Sequence, residues 1–490
     1  METAKPLMNT SSLKKQSRWL AAMLIIATFL AACQPLTPAE QTQEAQHQTE
    51  QANLPTPTPP VKVQPTPTRP SYLELDGASL DGLTIHFWHP WSGALAQEAA
   101  RLTDEFNQTN VWGFEVQISA QGSPSALSNQ VDRVLQGENP RPNLVAAPVD
   151  HLHRWQRQFN AVISLDAYLL DSEWGMPPVE QSGYLPVFWQ QDQVNGRQLA
   201  IPALRDARML AFNLSWAKDL GFSRPPVTPK EFQEQICAAA KDRSLVSNDG
   251  TGGWITTSEP LALLSWLQAF GWQSLSDLDS GQTQFNTPRA QEGLEYLRGL
   301  FDSGCAWNSR LPTPYDYFAN RQALAYSLSL SQAMEQRDAL DRAQSNDHWM
   351  LLPYPAQAAN TSSSFFVYGD SYGLIVASPQ EQLASWLFLR WLSSPRAQAS
   401  LAQAGGMLPV STAAFDQMSA YGRQNGAWQQ AYDNLSKAQP APNAASWPYV
   451  SLVLSDAAWQ TWQANINKET LKSILEQIDA TLPEMIKLIQ

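Results

Sequence analysis

Short apolar segments alternate with amphipathic ones from residue 83 onward, and this alternation limits the folds that the chain can adopt. Residues 83–88 (LTIHFW) and 144–147 (LVAA) have the apolar character of strands. Between them lie two stretches with helical spacing, the first with Leu95, Ala99 and Leu102 on one face. Strands that alternate with helices build a mostly parallel sheet with helices on its faces. The sequence therefore predicts an α/β fold.

Proline-containing sequences predict where later helices begin. Thr228 and Ser378 are each followed by Pro and, three residues on, by Glu, which is the capping-box pattern of a helix N-terminus. The pairs Thr287-Pro288 and Ser394-Pro395 repeat the combination of an N-cap residue with a proline. Helices therefore continue through the second half of the chain, together with short strands such as residues 372–377.

The first 33 residues have the three parts of an export signal. Basic residues precede an apolar run at residues 19–30, and small residues then lead to Cys33. The run is shorter than the roughly twenty residues that span a bilayer, which argues against a transmembrane anchor. The end of this segment resembles the lipobox of bacterial lipoproteins, in which the cysteine is acylated after cleavage. We therefore expect Cys33 to carry a lipid that attaches the protein to the outer face of the cell membrane.

Residues 34–71 are predicted to be a linker between the anchor and a body at residues 72–490. The linker is rich in Gln up to residue 53 and then alternates Pro with Thr. Such Pro-rich sequences favour the extended polyproline II conformation, so this one could hold the body away from the membrane.

Composition excludes several classes of function. The net charge of −13 argues against a general nucleic-acid binder, which needs a cationic surface. Three cysteines exclude a disulfide-dense scaffold and a Cys-rich metal domain. Hydrophobic residues make up 43% of the chain, which is enough for a large core.

Five segments of the body follow one another in an order that is typical of a known family. They are LTIHFWHPWSGALAQEAARLTDEFN at 83–107, LAIP and MLAFN within 199–213, PVTPKEF at 226–232, WLFLRWLSSP at 386–395, and GGMLPV at 405–410. Through these segments the chain resembles the family 1 extracellular solute-binding proteins of ABC importers.

The resemblance implies a two-lobed flytrap fold with mostly parallel sheets, in which a small ligand is enclosed when the lobes close. Interlobe crossings are expected near residues 201–212, 352–365 and 405–411. The first lobe would comprise 72–203 plus 367–404, and the second lobe 204–366 plus 405–490. The resemblance also implies a monomer that delivers its ligand to the transmembrane permease subunits of an importer, without enzyme activity or a cofactor.

Candidate ligand-binding residues come from strand ends and from the resemblance. Ligands of open α/β sheets bind beyond the carboxyl ends of strands, which favours the loop after the first strand. This loop contains Trp88, His89, Trp91 and Ser92. The resemblance adds Asp150, Arg205, Asp206, Arg208, Trp254, Tyr368, Asp370, Tyr372 and Gly406, and a Pro-rich stretch adds Trp447. Four other tryptophans lie on apolar helical patterns and are predicted to be core: Trp266, Trp386, Trp391 and Trp459.

These residues favour a carbohydrate ligand, because indole rings suit the apolar face of a sugar and polar side chains suit its hydroxyls. The glycerol-3-phosphate subgroup of the family shares the Phe87-Trp88-His89 start. It carries a tyrosine near residues 123–124 and a glutamate near Val149, both of which differ here, so that ligand is not carried over.

Cys237 and Cys305 remain after lipidation of Cys33. An oxidising extracytoplasmic environment favours a disulfide between them, within the second lobe.

Other ligands and activities remain open at this point. The four residues His86, His89, His151 and His153 fall near strand ends and could bind zinc, although no standard ligand spacing is present. A glycerol phosphate, a peptide or a polyamine would suit the same fold. Carboxylates such as Asp150, Asp206 and Asp370 would also suit a secreted glycoside hydrolase. We expect neither a bound metal nor catalysis, because no metal or nucleophile motif occurs.

Overall fold

A computed structural model describes residues 73, 75, 77–273, 275, 278–357 and 363–489. All of them belong to the compact unit Arg69–Gln490. The predicted export signal, Cys33 and the whole linker lie outside the described residues, so the lipid anchor remains a prediction.

The described region alternates strands and helices along the chain, as the sequence predicts. Its strands are β1 (Thr84–His89), β2 (Glu115–Ala120), β3 (Leu144–Pro148), β4 (Gln193–Val194), β5 (Arg197–Gln198), β6 (Ile201–Pro202), β7 (Asp206–Asn213), β8 (Trp254–Ile255), β9 (Ala306–Trp307), β10 (Ala325–Ser329), β11 (Trp349–Leu352), β12 (Phe365–Tyr368), β13 (Asp370–Leu374) and β14 (Ala438–Pro440).

The first helices of the described region are α1 (Gly93–Thr109), α2 (Pro124–Leu135), α3 (Val149–Phe159), α4 (Asp166–Leu170), α5 (Pro178–Gln181), α6 (Pro186–Gln191), α7 (Leu214–Asp219), α8 (Pro229–Val246), α9 (Pro260–Ala269) and α10 (Pro288–Asp302). The later ones are α11 (Tyr315–Ala319), α12 (Ala333–Arg342), α13 (Pro379–Leu392), α14 (Pro395–Gly405), α15 (Thr412–Gln417), α16 (Ser419–Gln424), α17 (Gly426–Asp433), α18 (Trp447–Thr461) and α19 (Lys468–Lys487).

Two large sheets form the two lobes. The sheet of the first lobe has the strand order β2-β1-β3-β13-β6. Strand β1 is parallel to β2 and β3, whereas β13 is antiparallel to both of its neighbours. The sheet of the second lobe has the order β14-β12-β7-β10-β8-β9, with β11 paired to the remaining part of the β7 edge. Each sheet is covered by helices, which confirms the predicted two-lobed α/β class.

The chain crosses from one sheet to the other wherever two consecutive strands belong to different lobes. Strand β6 lies in the first sheet and β7 in the second, which matches the position of the predicted crossing at 201–212. A second passage falls at Gly369, between β12 and β13, and therefore lies beyond the 352–365 segment that the sequence indicated. A Cβ at Gly369 would lie 2.4 Å from the Leu204 carbonyl oxygen, so only glycine fits between the two crossing strands.

Arg205 joins these passages at a fully buried position. Its guanidinium donates to Asp192 Oδ1 at 2.7 Å and to the Asp370 carbonyl oxygen at 2.8 Å. It also donates to Gln191 Oε1 at 2.9 Å. The Arg205 backbone exchanges two hydrogen bonds with Leu408, of 3.0 and 2.8 Å, in the segment that follows α14. One side chain and its backbone therefore hold the three segments that connect the lobes.

Local sequence signals account for the helix starts. The capping boxes at Thr228 and Ser378 are both present, with each hydroxyl accepting from the backbone N–H of the glutamate three residues on. Thr287 and Ser394 also cap their helices, as predicted.

The prediction that four tryptophans on helical patterns are core residues is only partly confirmed. Trp266 and Trp386 are buried, and Trp391 is partly buried. Trp459 is 54% exposed, and its prediction as a core residue is wrong. The buried face of α18 is formed by Val450, Leu454, Ala457, Ala458 and Thr461, and Trp459 lies off that face.

A disulfide joins Cys237 on α8 to Cys305, which directly precedes β9. The sequence separation is 68 residues. Closing a loop of that length lowers the entropy of the unfolded chain and stabilises the fold by about 4 kcal/mol in the chain-entropy account.

We predict that Arg205→Met lowers the free energy of unfolding by about 3 to 5 kcal/mol, because it leaves the buried Asp192 carboxylate without its cationic partner. Urea unfolding followed by circular dichroism measures this change. Arg101→Met is the control, because Arg101 pairs with Glu98 and Glu105 on the exposed face of α1. Exposed pairs contribute about 1 kcal/mol or less, so equal losses for the two variants would contradict a central role for Arg205.

Candidate functional site

A cleft of about 640 Å³ opens between the two lobes. The first lobe contributes α2 and the first turn of α3, and the second lobe contributes the starts of α9 and α18. The passage at Tyr368, Gly369 and Asp370 and the segment around Met407 also line it. This size lies within the range of about 300 to 1,000 Å³ that is usual for small-molecule sites.

The first-lobe wall is built around a buried arginine. Arg154 Nη2 donates to both carboxylate oxygens of Asp132, at 2.8 and 2.9 Å, and to Ser128 Oγ at 3.0 Å. The Trp155 indole N–H donates to the same carboxylate at 2.7 Å. These bonds fix α3 against α2. They also pair the Arg154 guanidinium with a carboxylate of its own lobe.

Two carboxylates with raised pKa values face this cleft. Burial raises the pKa of Asp150 to about 7, and the nearby Asp370 carboxylate adds to that shift, whereas backbone N–H groups and Arg154 oppose it. Burial also raises the pKa of Asp370 to about 6, against the opposing effect of a bond from Trp91. The Trp91 indole N–H donates to Asp370 Oδ2 at 2.7 Å and thereby orients it. The cleft therefore holds carboxyl groups that can donate or accept hydrogen bonds near neutral pH.

The second-lobe wall combines aromatic rings with one carboxylate. Trp447 and Tyr449 lie on the first turn of α18 and line the cleft with Tyr368. Glu259 caps α9 by accepting from the backbone N–H of Ala262 at 2.8 Å. Its carboxylate also lies 3.4 Å from Nε of Arg208. The second-lobe wall therefore presents both apolar aromatic faces and fixed polar groups to the cleft.

Of the fourteen predicted ligand-binding residues, the structure brings four to the walls of this cleft: Asp150, Tyr368, Asp370 and Trp447. Three other predicted residues do not line the cleft but are hydrogen-bonded to residues that do. Trp91 holds Asp370, and Arg208 donates to the Tyr368 hydroxyl at 3.3 Å. The Asp206 carboxylate accepts from the Tyr368 hydroxyl at 3.3 Å and from Ser331 Oγ at 2.6 Å.

The remaining seven residues do not line this cleft, and five of them are packed in the interior of the lobes. Those five are Trp88, His89, Arg205, Trp254 and Tyr372. The Arg205 guanidinium is bonded within the segments that connect the lobes. Trp254 packs edge-on against Trp266 in the core of the second lobe. Ser92 is exposed at the start of α1, and Gly406 borders a separate cavity of about 260 Å³.

His89 shows why the first loop differs from the prediction. Its ring stacks on Trp91 with centroids 4.8 Å apart, and its Nδ1 accepts from the Trp91 backbone N–H at 3.2 Å. Burial lowers the pKa of His89 to about 4, so the imidazole is neutral. The loop turns inward and supports Asp370 instead of reaching the ligand itself.

Several cleft residues were missed in the sequence: Ser128, Asp132, Arg154, Glu259 and Tyr449. For α2 the sequence did contain a signal, because polar residues recur at the spacing of one helix face. These residues all line the cleft: Ser125, Ser128, Asn129 and Asp132. Tyr449 lies only two residues beyond Trp447. Glu259 had no comparable signal, because its position depends on how the second lobe packs.

Neither a metal site nor a membrane span is found in the described part of the chain. Within those residues, no group of three or more His, Cys, Asp or Glu side chains could hold a metal ion. The helices of the same residues include none with the length and apolar character that crossing a bilayer requires.

Comparison with known families agrees with this architecture. The profile of the family described as bacterial extracellular solute-binding protein matches residues 101–430, about two thirds of the chain. The chain belongs to this family. The resemblance inferred from the sequence segments is thereby confirmed, and membership of an extracellular family implies an extracytoplasmic location.

Individual relatives of the family are distant. The sn-glycerol-3-phosphate-binding periplasmic protein UgpB of Yersinia pestis is 24% identical over 80% of this chain and 90% of its own length. A probable ABC transporter-binding protein of Deinococcus radiodurans is 26% identical, but the match spans only 39% of that protein and 30% of this chain. The solved sugar-binding protein MalE of Xanthomonas citri has a TM-score of 0.67 at 18% identity, covering 83% of this chain and 98% of that one. This last likeness establishes the shared fold.

We predict that Asp150→Asn changes the pH dependence of stability. In the wild type, the unfolded chain releases the Asp150 proton near pH 4, whereas the folded protein retains it up to about pH 7. Wild-type stability is therefore lost across that window as pH rises. Relative to wild type, the variant should gain on the order of 2 to 4 kcal/mol in unfolding free energy between pH 4 and pH 7.5.

Urea unfolding at several pH values measures this difference. Asp104→Asn, on the exposed side of α1, controls for the loss of one negative charge. A difference between Asp150→Asn and wild type that stays constant with pH would contradict a raised pKa at Asp150.

Proposed function

We propose that this solute-binding protein captures a carbohydrate in the cleft between its lobes and delivers it to the permease subunits of an ABC importer. The observation that carries the proposal is the opposition of aromatic rings and carboxyl groups across the cleft. Trp447 and Tyr449 lie on the second-lobe side, and Asp150 and Asp370 lie on the first-lobe side and at the crossing.

A saccharide suits both of these surfaces. Its C–H faces pack on aromatic rings, and its hydroxyls both donate and accept hydrogen bonds. Buried carboxyl groups such as Asp150 and Asp370 provide such partners, and a ligand that left them unpaired would bind less well. Closure of the lobes would exclude water and strengthen these bonds.

A glycerol phosphate is the second candidate, because UgpB relatives are named for that ligand. The charges of the cleft disfavour it. Among the described residues that line the cleft, Arg154 is the one arginine, no lysine is present, and the guanidinium of Arg154 is already bonded to Asp132. Four carboxyl groups line the same space, Asp132, Asp150, Glu259 and Asp370, and of these Asp150 is only partly ionised near pH 7 because burial raises its pKa. A phosphate group would meet net repulsion there.

The protein would be held at the membrane and would pass its ligand to the importer. It would act as a monomer, attached to the outer face of the membrane by a lipid on Cys33. The two lobes would be limited near residue 203 and at Gly369, where the chain changes sheets. Their outer surfaces would meet the permease after closure, and no chemical step on the ligand is required for this role.

A screen of the purified protein tests the ligand class. Mono- and oligosaccharides including maltose and maltotriose, glycerol 3-phosphate, short peptides, spermidine and Zn²⁺ are compared by thermal shift and by tryptophan fluorescence. We expect one or more saccharides to raise the melting temperature by several degrees through preferential binding to the folded state. A response confined to glycerol 3-phosphate, to a peptide or to zinc would overturn the carbohydrate proposal. Release of product from a glycoside would overturn the role without catalysis.

Tyr449→Ala should weaken saccharide binding by about tenfold, because it removes one aromatic face of the cleft. Trp459→Ala is the matched control on the same helix, since that ring is exposed and does not line the cleft. Titration calorimetry measures both affinities. Equal affinities for Tyr449→Ala and wild type would place the ligand away from α18.

A further inference from the structure

Helix α18, which carries Trp447 and Tyr449 into the cleft, begins without a cap of its own. Its N-cap residue Ser446 makes no side-chain capping bond. Within the described residues, the Ser446 hydroxyl is buried and has no hydrogen-bond partner. The N–H groups of Trp447 and Tyr449 donate to backbone carbonyls of Ala444 and Ser446, so the N–H groups that need an acceptor from elsewhere are those of the two residues that lead into the helix.

A carboxylate far away in the sequence supplies acceptors at this end. Asp279 lies in the 3₁₀ turn Leu278–Ser280. Its Oδ2 accepts from the backbone N–H of Ala445 at 2.9 Å, and its Oδ1 accepts from that of Ser446 at 2.9 Å. The two bonds fix both the position and the direction of the chain as it enters α18. The negative charge also suits the positive end of the helix dipole.

The same carboxylate faces the first lobe. Its Oδ2 lies 3.5 Å from Nη1 of Arg157 and 3.9 Å from Nδ1 of His153. His153 Nδ1 is also 3.0 Å from the carbonyl oxygen of Asn443, just before α18. His153 and Arg157 are one helical turn apart on α3, whose first turn holds Asp150 in the cleft.

The backbone bonds outweigh the ion pair in this arrangement. Arg157 and Asp279 are both partly exposed, and both border a cavity of about 790 Å³. Ion pairs that solvent reaches contribute little, whereas a carboxylate bonded to two consecutive backbone N–H groups fixes local geometry. Arg157 and His153 mark the part of the first lobe that this turn faces.

We propose that Asp279 is a positioning residue for ligand binding: it sets the first turn of α18, with Trp447 and Tyr449, against α3 across the cleft. It touches no ligand itself, since it lies behind the aromatic wall and does not line the cleft. This inference rests on the proposed function, because it assigns Asp279 a part in holding the aromatic wall of that site.

The chain offers a matched control for the substitution Asp279→Ala. Asp479 on α19 also accepts from two consecutive backbone N–H groups, those of Phe285 at 2.6 Å and Asn286 at 2.9 Å. It belongs to the same lobe and does not line the cleft. Asp479→Ala therefore removes the same type of contact, at a place where no cleft residue depends on it.

Hydrogen–deuterium exchange on the full chain tests the positioning without any ligand. Asp279→Ala should raise the exchange rate of residues 445–452 at least tenfold, whereas Asp479→Ala should raise it only around residues 285–288. Unchanged exchange at 445–452 in Asp279→Ala would overturn the inference. This result is independent of the ligand class, so it distinguishes a failure of the inference from a failure of the proposed function.

Maltotriose titration of the same proteins, together with the saccharide that gives the largest thermal shift, tests the consequence for binding. Asp279→Ala should weaken binding by about tenfold and Asp479→Ala by less than twofold, even where their melting temperatures fall equally. Equal weakening by both variants would reduce Asp279 to a stabilising residue and overturn the inference. If no saccharide binds the wild type, the proposed function fails, and the exchange experiment alone decides on Asp279.

Discussion

The buried guanidinium of Arg205 is the contact on which the two-lobed arrangement depends. A charge that is fully removed from water is unfavourable unless its bonds are satisfied within the protein. Arg205 meets this condition by bonding Asp192, Gln191 and Ser371 side chains and the carbonyl oxygens of Leu204 and Asp370. Since these partners come from separate parts of the chain, the crossing segments can pack in only one register.

The position of the cleft follows from this register. Arg205 holds the backbone of Asp370, and Trp91 holds its carboxylate, so that the start of β13 is fixed from two directions. Strand β3, next to β13, leads directly into α3 and places Asp150 at the same end of the sheet. The two carboxyl groups of the cleft are therefore placed by sheet pairing rather than by a flexible loop. The same burial that fixes them raises their pKa values.

Local features of the sequence predicted the fold well, because their causes are local. The capping boxes at Thr228 and Ser378 and the apolar periodicity of α1 need only neighbouring residues to act. The ordered family segments added the two-lobed architecture. The second crossing was placed too early because the requirement for glycine at residue 369 comes from the Leu204 carbonyl, 165 residues earlier in the chain.

The site was predicted less completely, because the sequence does not show which face of an aromatic or charged residue meets solvent. Trp254 and Trp447 were both predicted to contact the ligand, yet one lies in the core of the second lobe and the other lines the cleft. Arg205 and Arg208 are three residues apart, and only packing assigns one to the crossing and the other to Tyr368. The contacts of Asp279 with α18 join residues more than 160 positions apart and leave no local signal.

A crystal structure of the protein with its best-binding saccharide tests the central claim most directly. The account predicts a sugar between the lobes, with a ring packed on Trp447 or Tyr449 and hydroxyls within hydrogen-bonding distance of Asp150 and Asp370. A saccharide in the cavity behind α3, beside Arg157 and Arg197, with the cleft left empty, would contradict it.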